Sequence, residues 1–320
     1  GGVVPEIASR NHLEKLVPLI KTCLAQAKVE LEELDLIGVT THPGLLGPLL
    51  TGINAAKTLS LFHKTPVVSV NHLFAHLECI WMDEQSKNLT YPYLGLLVSG
   101  GHSIYFKVSS PTTFELLGST LDDAAGEAFD KGGKLLGLGY PAGKFIDDLA
   151  KDGDSKAYAF PIGLRHADNA HLSFSGVKTA LRILLTEHPE WEVQEKDRAT
   201  WIKNPEQAPA YLKNICASYQ HAIVQALEIK LVKALAISGD KKMPIVIGGG
   251  VAMNSYLRKY LGDKHAHLHV VSPKFCTDNG AMIANYALRT SEQKIDYPQT
   301  LELDARSMFI DRAKIIKEQS

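Results

Sequence analysis

Short apolar runs alternate with longer segments of helical periodicity along most of this chain, and this alternation constrains its fold more than any other feature. Short runs have the length of buried strands, whereas apolar residues that recur every three or four positions indicate amphipathic helices. Strands that alternate with helices are typical of an α/β fold. We predict strands at 36–41, 67–70, 245–247 and 268–271, and helices at 7–28, 46–63, 72–84, 209–237, 251–262 and 278–290.

The middle of the chain departs from this alternation. Residues 93–99, 103–108 and 114–118 look like three successive strands, and a glycine-rich tight turn joins the first two. A helix is predicted at 121–137, and the polar segments 152–172 and 187–208 are predicted to be loops. Two α/β lobes with a cleft between them are the simplest interpretation of the pattern.

Composition limits the class of protein. Hydrophobic residues make up 45% and charged residues 22% of the 320 residues, which is typical of a globular protein with a sizeable core. The formal net charge is -1, so an RNA partner would need a local basic patch. Four cysteines without a C-x-x-C pair disfavour a disulfide framework or a zinc ribbon. The sequence has no apolar stretch of membrane-helix length and no signal peptide, so we expect a cytoplasmic protein.

A histidine pair and one aspartate could form a metal site. His72 and His76 are four residues apart on a predicted helix, so both imidazoles face one side and can reach one ion. Asp278, at the predicted start of the last helix, could add a carboxylate ligand or could simply stabilise the positive end of that helix. Leu73 stands where a zinc peptidase of the H-E-x-x-H type has its glutamate. A pair of surface histidines is the alternative interpretation.

Two glycine-rich turns follow predicted buried strands. Ser99-Gly100-Gly101 ends one strand, and Gly248-Gly249-Gly250 leads from another into a helix. Glycine lets backbone N–H groups approach a phosphate closely, and a helix N-terminus attracts anions. The second turn is neither the Rossmann fingerprint, because Met253 replaces the third glycine, nor a P-loop. A plain hairpin turn and a tight packing turn are the alternatives.

The segment 122–137 combines charges with glycines. A charged helix face is usually solvated, but repeated glycine lowers helix propensity and indicates the close approach of a ligand or another backbone. The charged residues on one predicted face are Asp123, Glu127, Asp130 and Lys134. Further along, Ser175 and Lys178 match the S-x-x-K of penicillin-recognising enzymes, but the partner motifs are absent, which argues against a serine acylase.

Taken together, these segments resemble one family along essentially the whole chain. It is the family of tRNA threonylcarbamoyladenosine-modifying transferases, called TsaD in bacteria and formerly O-sialoglycoprotein endopeptidase. The matching segments are G-G-V-V-P-E-I-A-S-R at 1–10, H-L-F-A-H at 72–76, L-V-S-G-G-H at 97–102, D-D-A-A-G-E-A-F-D-K at 122–131, L-L-G-L-G-Y-P at 135–141, S-F-S-G-V-K-T at 173–179, G-G-G-V-A-M-N at 248–254 and F-C-T-D-N-G-A-M-I-A at 275–284. Several are long and all occur in the family's order, so the resemblance is specific.

The resemblance implies the actin/hexokinase/Hsp70-like (ASKHA) fold, in which two RNase H-like lobes surround a ligand cleft. Lobe I would be residues 1–91, with the helix near 278–290 packing back on it, and lobe II would be residues 92–277. Residues 291–320 would form a C-terminal tail.

The resemblance also implies an activity and its site residues. The enzyme would transfer a threonylcarbamoyl group from threonylcarbamoyl-AMP to the N6 amine of the adenosine just 3′ of the anticodon, in tRNAs that read codons beginning with adenine. One divalent ion, iron or zinc, would be bound by His72, His76 and Asp278. The residues that would line the phosphate and carbamoyl end are Leu97, Val98, Ser99, Gly100 and Gly101, and those that would hold the nucleotide are Asp130, Gly143, Asp147 and Asn254. No residue stands out as a nucleophile or as a general base.

The implied partners are tRNA, a TsaB-type paralogue and a TsaE-type ATPase, and a homodimer is left open. No membrane is implied. A metallopeptidase would use the same histidine pair but lacks the glutamate. An ATPase or sugar kinase of the same fold would need an acidic loop that the sequence does not contain.

Two departures from the family pattern affect these expectations. Ala142 stands where the family has the first glycine of a Pro-Gly-Gly segment. The family's N-terminal strand, acidic loop and second strand have no counterpart in this sequence. We therefore expect the 320 residues as written to bind nucleotide weakly, to transfer little and to self-associate through unpaired strand edges. Restoring the segment should restore activity.

Overall fold

A computed structural model of the chain describes residues 4–191, 193 and 195–305. The chain divides into two compact units. Of the described residues, those up to Cys79 and from Asn279 onwards form one unit, and those from Ile80 to Asp278 form the other. The lobe limits expected from the family resemblance, 1–91 and 92–277, stay a prediction.

The helices and strands are labelled in chain order. They are α1 (Pro5–Ala27), β1 (Ile37–His42), α2 (Leu46–His63), β2 (Val67–Asn71), α3 (His72–Glu78), β3 (Tyr93–Val98), β4 (Ser103–Ser110), β5 (Thr113–Ser119), α4 (Ala125–Leu135), α5 (Gly143–Ala150), α6 (Ser175–Glu187), α7 (Glu195–Lys203), α8 (Ala210–Ile237), β6 (Ile245–Gly248), α9 (Ser255–Gly262), β7 (Leu268–Val270), α10 (Pro273–Cys276) and α11 (Gly280–Arg289).

The first unit is built on two parallel strands. β1 pairs with β2, with Ile37 opposite Val67, and α2 makes the connection between them. α2 packs on β1, while α11 packs on both strands and on α3. The buried apolar side chains between α2 and the strands are Val39, Leu49, Ile53, Ala56, Val67 and Leu303. This arrangement places α3 and the start of α11 side by side beyond the carboxyl end of β2.

The second unit is built on a mixed sheet with the strand order β5-β4-β3-β6-β7. β3 pairs antiparallel with β4 and parallel with β6, and all six of its residues are buried. The long helix α8 packs on this sheet, and the hydroxyl of Tyr105 donates to the carbonyl of Leu227 at 2.7 Å to fix β4 against it. Because β3 and β6 are adjacent and parallel, the two glycine-rich turns that follow them lie at the same edge of the sheet.

Several helices differ from the sequence prediction. The helix predicted at 121–137 begins only at Ala125, because the preceding Asp122 accepts a hydrogen bond from the backbone of Phe174 at 2.7 Å. The helix predicted at 72–84 ends at Glu78 and continues as a 3-10 turn over Cys79–Met82. The segment 187–208, predicted to be a loop, contains α7.

α7 was not predictable from apolar periodicity because the helix buries none of its residues. The helices α5 and α6 lay outside the predicted elements as well. By contrast, the strands predicted at 36–41, 67–70 and 245–247 are confirmed to within one residue.

None of the helices in the described part of the chain combines the length and apolarity that crossing a bilayer requires.

Candidate functional site

The histidine pair lies on the short helix α3. Asn71 caps this helix, since its side-chain Oδ1 accepts hydrogen bonds from the backbone N–H groups of Leu73 at 2.9 Å and Phe74 at 3.4 Å. His76 is almost fully buried and His72 is half-buried. Their ring centroids are 4.6 Å apart and nearly perpendicular, so the predicted i, i+4 approach of the two imidazoles is present.

Asp278 is bonded directly to Asn279, the residue that caps α11. The Asn279 side chain accepts from the backbone N–H of Met282 at 2.8 Å, so the cap is made by the residue after Asp278. One side-chain ligand atom from each of His72, His76 and Asp278 lies within 4.8 Å of the other two.

This cluster is a candidate metal centre, and its donor set fits a metal ion. Atoms that bind one ion at about 2.0–2.2 Å are at most about 4.4 Å apart, so small side-chain rotations suffice. Two imidazoles with one carboxylate suit iron or zinc.

The loop that follows β3 is held as a tight turn. The backbone N–H of Ser99 donates to the carbonyl of His102 at 2.8 Å, and the N–H of His102 donates to the Ser99 hydroxyl at 3.2 Å. A side chain added at Gly100 or Gly101 would meet nothing within 4 Å, so the backbone at the tip of the turn is open to an approaching group.

Two glycines from other elements press against this loop. Gly126, in the first turn of α4, donates its N–H to the carbonyl of Ser99 at 3.2 Å, and a Cβ there would lie 2.5 Å from that oxygen. Gly249 has a φ of 93° and faces the carbonyl of Val98 so closely that a Cβ would collide with it. Both glycines therefore lie close to backbone atoms, Gly126 to those of the loop and Gly249 to those at the end of β3.

The residues expected at the nucleotide organise the starts of two helices. Asp130 accepts from the backbone N–H of Ala142 at 2.8 Å, directly before Gly143 begins α5. Asp147 accepts from the backbone N–H and the hydroxyl of Ser255 at 2.8 and 3.0 Å.

Asn254 caps α9. Its Oδ1 accepts from the N–H of Leu257 at 2.8 Å, and its amide donates to Gln220 at 2.6 Å. The side chains of Asp147 and Asn254 thus meet at the N-terminus of one helix, which is the end that attracts anions.

A groove of about 520 Å³ adjoins this helix N-terminus. Its lining includes Asp147, Ala150, Gln220, Ser255, Tyr256 and Lys259. The Tyr256 ring stacks on Tyr260 with centroids 5.7 Å apart, and its hydroxyl is 2.7 Å from Nδ1 of His221. Burial, together with the nearby lysine charges, lowers the pKa of His221. The groove lining therefore combines the aromatic rings of Tyr256 and Tyr260 with polar and charged side chains.

Sequence reasoning missed the connection between α4 and α6. Asp122 accepts from Ser173 and from the backbone of Phe174, and the neighbouring Asp123 forms ion pairs with Lys131 and Lys178. Burial raises the pKa of Asp123, but the hydrogen bonds from the two lysines outweigh it and leave the pKa below its ordinary value. The adjacent carboxylates were the available signal, but nothing in the sequence indicated their partners.

The chain thus combines a candidate metal centre with a glycine-backed loop and with helix termini that attract anions. These are the features of a metal-dependent α/β enzyme. The family model described as "TsaD: tRNA N6-adenosine threonylcarbamoyltransferase" matches residues 1–285. The chain belongs to this family, whose members are acyltransferases that modify tRNA.

Curated relatives agree with this assignment. The chain is 45% identical over 291 residues to the tRNA N6-adenosine threonylcarbamoyltransferase of Nitratidesulfovibrio vulgaris (strain DP4), covering 89% of this chain and 79% of the relative. It is 44% identical to the protein of that name from Treponema denticola over 95% of this chain and 85% of the relative. The corresponding Geobacter sulfurreducens protein is 42% identical over 96% and 84%.

These findings confirm the resemblance and the enzyme class inferred from the sequence. The family has the ASKHA fold, and the mixed sheet with its flanking helices is consistent with it. The matches do not favour the metallopeptidase and kinase alternatives.

Proposed function

We propose that this protein transfers the threonylcarbamoyl group of threonylcarbamoyl-AMP to the N6 amine of the adenosine 3′ of the anticodon, in tRNAs that read codons beginning with adenine. The observation that carries the proposal is the loop after β3, whose open backbone at Gly100 and Gly101 is fixed by Gly126 on one side and Gly249 on the other. A fixed loop with exposed N–H groups suits a phosphate that becomes a leaving group.

The residues proposed for the phosphate and carbamoyl end are Leu97, Val98, Ser99, Gly100 and Gly101. Val98 and Leu97 are buried and anchor the loop in the sheet, while the two glycines leave its tip open. The backbone N–H groups at the tip would donate to the phosphate oxygens of the adenylate. Their position does not depend on side-chain rotation, so little reorganisation is needed as charge develops on the leaving AMP.

The nucleoside part is proposed to occupy the groove beside α9. Asp147 and Asn254 would supply carboxylate and amide oxygens for the ribose hydroxyls, and Asp130 would hold the loop that precedes Gly143 in place. The stacked Tyr256 and Tyr260 provide an aromatic wall suited to a planar base. This placement joins the nucleoside to the phosphate loop through the glycine-rich turn that begins at Gly248.

His72, His76 and Asp278 are proposed to hold one divalent metal ion, iron or zinc. When bound, such an ion orients oxygen groups and polarises a carbonyl as a Lewis acid. The burial of His76 restricts its imidazole, and the cap at Asn71 holds the start of the helix that carries both histidines. Ligands with restricted movement favour a single geometry, which is what orientation of the threonyl group would need.

The proposed reaction needs no covalent enzyme intermediate. The N6 amine attacks the carbonyl carbon of the donor, the bond from that carbon to the phosphate oxygen breaks, and AMP leaves with the electron pair. The proton lost from N6 passes to water or to a base that we do not assign. The enzyme would therefore act by positioning the two substrates and stabilising the leaving phosphate.

The test is to incubate the protein with threonylcarbamoyl-AMP, an unmodified tRNA and the TsaB-type and TsaE-type proteins, and to measure threonylcarbamoyladenosine in the tRNA by mass spectrometry. Modified adenosine at the position 3′ of the anticodon supports the proposal. Chelator-sensitive peptide cleavage, or ATP turnover with a simple sugar, in the absence of tRNA modification would favour one of the other enzyme classes instead.

A TsaB-type paralogue is proposed to bind the helices of the first unit. α1 buries none of its described residues and exposes Ile7, Leu13 and Val17 by more than half of their surface. An exposed apolar helix face is typical of a protein interface. Light scattering of the protein with and without the paralogue distinguishes this complex from a homodimer. Leu13→Glu should weaken the complex with the paralogue if that is what forms, and the homodimer otherwise.

A further inference from the structure

We propose that Arg258 is a positioning residue that holds the segment carrying Asp278 against the glycine-rich turn after β6, so that nucleotide binding and metal binding strengthen each other. The inference rests on the proposed function for the identity of the two ligands. The role of Arg258 in holding this segment is argued only from contacts within the second unit.

Arg258 lies on α9 and its guanidinium bridges three parts of the chain. Nε donates to the carbonyl of Ala252 at 2.6 Å, in the turn between Gly249 and α9. Nη2 donates to the carbonyl of Val271 at 2.8 Å, just after β7. The same nitrogen lies 3.6 Å from the sulfur of Cys276, at the end of α10.

These acceptors lie in a closed environment. Ala252, Val271 and Cys276 are all fully buried, and the Cys276 thiol also donates to the carbonyl of Val271 at 3.2 Å. A buried carbonyl that loses its donor costs about 1–3 kcal/mol, so these contacts constrain the backbone on both sides of the guanidinium. The guanidinium reaches the two carbonyls from two nitrogens, Nε and Nη2, that a rigid plane holds apart, whereas a lysine would have to reach both from one nitrogen on a flexible stem.

The bridge connects the two proposed binding regions over a short length of chain. Ala252 is two residues before Asn254, the cap of α9, and Cys276 is two residues before Asp278. α9 itself is held to Asp147 through Ser255. A nucleotide that orders the start of α9 would therefore order the guanidinium, and through it the residues that lead to Asp278.

Two basic residues of this region are engaged within the second unit. Arg258, Lys259 and Lys264 are close in sequence and look like a basic cluster for RNA phosphates. The Arg258 guanidinium instead points to backbone carbonyls of its own unit, and Lys264 lies 3.4 Å from Glu228. The sequence holds a second group of basic residues outside the described part of the chain, namely Arg306, Arg312, Lys314 and Lys317.

The first experiment measures linkage between the two ligands. The dissociation constant of Zn²⁺ is determined with and without saturating AMP, in the wild type, in Arg258→Lys and in Arg182→Lys, which changes an exposed arginine on α6 in the same way. We expect AMP to tighten Zn²⁺ binding about 5–50-fold in the wild type and in R182K, and by less than about 2-fold in R258K. The coupling is overturned if AMP tightens Zn²⁺ binding by the same factor in R258K as in the wild type, or if it has no effect in the wild type.

The second experiment tests the bridge without ligands. Hydrogen exchange of the backbone amides at 271–277 and 251–254 should be about 10-fold faster in R258K than in the wild type, while the amides of β3 stay unchanged. Equal exchange overturns the positioning role.

A wild type that binds no Zn²⁺ contradicts the proposed metal site, and the exchange result then still decides the role of Arg258. Melting curves show that both variants are folded, and Arg258→Gln replaces R258K if that variant is not.

Discussion

Nε of Arg289 donates to the carboxylate of Glu78 at 2.9 Å, and this ion pair joins the end of α3 to the end of α11. Glu78 is fully buried, and its backbone carbonyl accepts from the amide of Asn285 at 3.1 Å. Of these two helices, α3 carries the proposed metal ligands His72 and His76, and α11 begins two residues after the third, Asp278. The pair therefore fixes the helices whose spacing the metal centre requires.

Removing the cation from this pair should destabilise the protein strongly. Arg289→Met leaves the Glu78 carboxylate buried without the Arg289 charge, and breaking a buried pair in this way costs about 3–5 kcal/mol. The control is Arg10→Met, which removes the exposed pair of Arg10 with Glu6 and should change stability by less than about 1 kcal/mol. Urea unfolding of the three proteins measures the difference, and equal midpoints would show that the buried pair is not structural.

Metal binding should depend on His76. His76→Ala removes a buried imidazole from the three-ligand cluster, so metal content measured by mass spectrometry should fall sharply relative to the wild type. His12→Ala, which changes an exposed histidine on α1, is the matched control and should keep its metal. Full metal content in the His76 variant would remove this residue from the proposed ligand set.

The ion pairs of Asp123 should make stability sensitive to acid. Its pKa is lower in the folded protein than in the unfolded chain, because the hydrogen bonds from Lys131 and Lys178 outweigh the effect of burial. Such a group contributes stability above its unfolded pKa of about 3.9, and the contribution is lost as pH falls through the folded pKa.

Asp123→Asn should therefore be less stable than the wild type by a constant amount above about pH 5, and the difference should shrink below about pH 4. Chemical unfolding at a series of pH values measures this. Asp168→Asn, which removes a carboxylate from an exposed pair with Lys233, should show a smaller change. A difference that stays constant down to pH 3 or so would show that the titration of Asp123 is not coupled to folding.

Two adjacent glycines should respond differently to the same substitution. Gly249→Ala places a methyl group against the carbonyl of Val98 in a backbone with φ of 93°, so it should destabilise by about 2 kcal/mol or more. Gly250→Ala meets nothing within 4 Å and should leave the melting temperature nearly unchanged. Equal melting temperatures for the two variants would mean that the turn adapts and that its approach to the β3 loop is not essential.

The isolated chain should bind tRNA weakly. Its formal net charge is -1, and phosphate affinity requires clustered lysine and arginine side chains that release counterions. We expect binding to be detectable only at low salt and to tighten when the TsaB-type paralogue is added. Fluorescence anisotropy of labelled tRNA over a salt series measures this, and tight, salt-insensitive binding by the chain alone would contradict it.

Much of the candidate site could be predicted because its information is local. The i, i+4 spacing of His72 and His76 and the strand-glycine-helix order at 245–262 depend only on helix and turn geometry, and the structure reproduces both. The helix start at Ala125 could not be predicted. Asp122 fits the helical pattern locally, but its carboxylate accepts a hydrogen bond from the backbone of Phe174, which lies far along the chain.

The sequence by itself determined the α/β class, the family and the residue types available for chemistry, because periodicity and motif order are properties of neighbouring residues. The tertiary structure decided which carboxylates pair with which donors. Asp147 meets Ser255, and Glu78 meets Arg289, across long separations in the chain. A carboxylate has the same local preferences whether it caps a helix, binds a lysine or faces water, so only the folded packing of distant elements selects its partner.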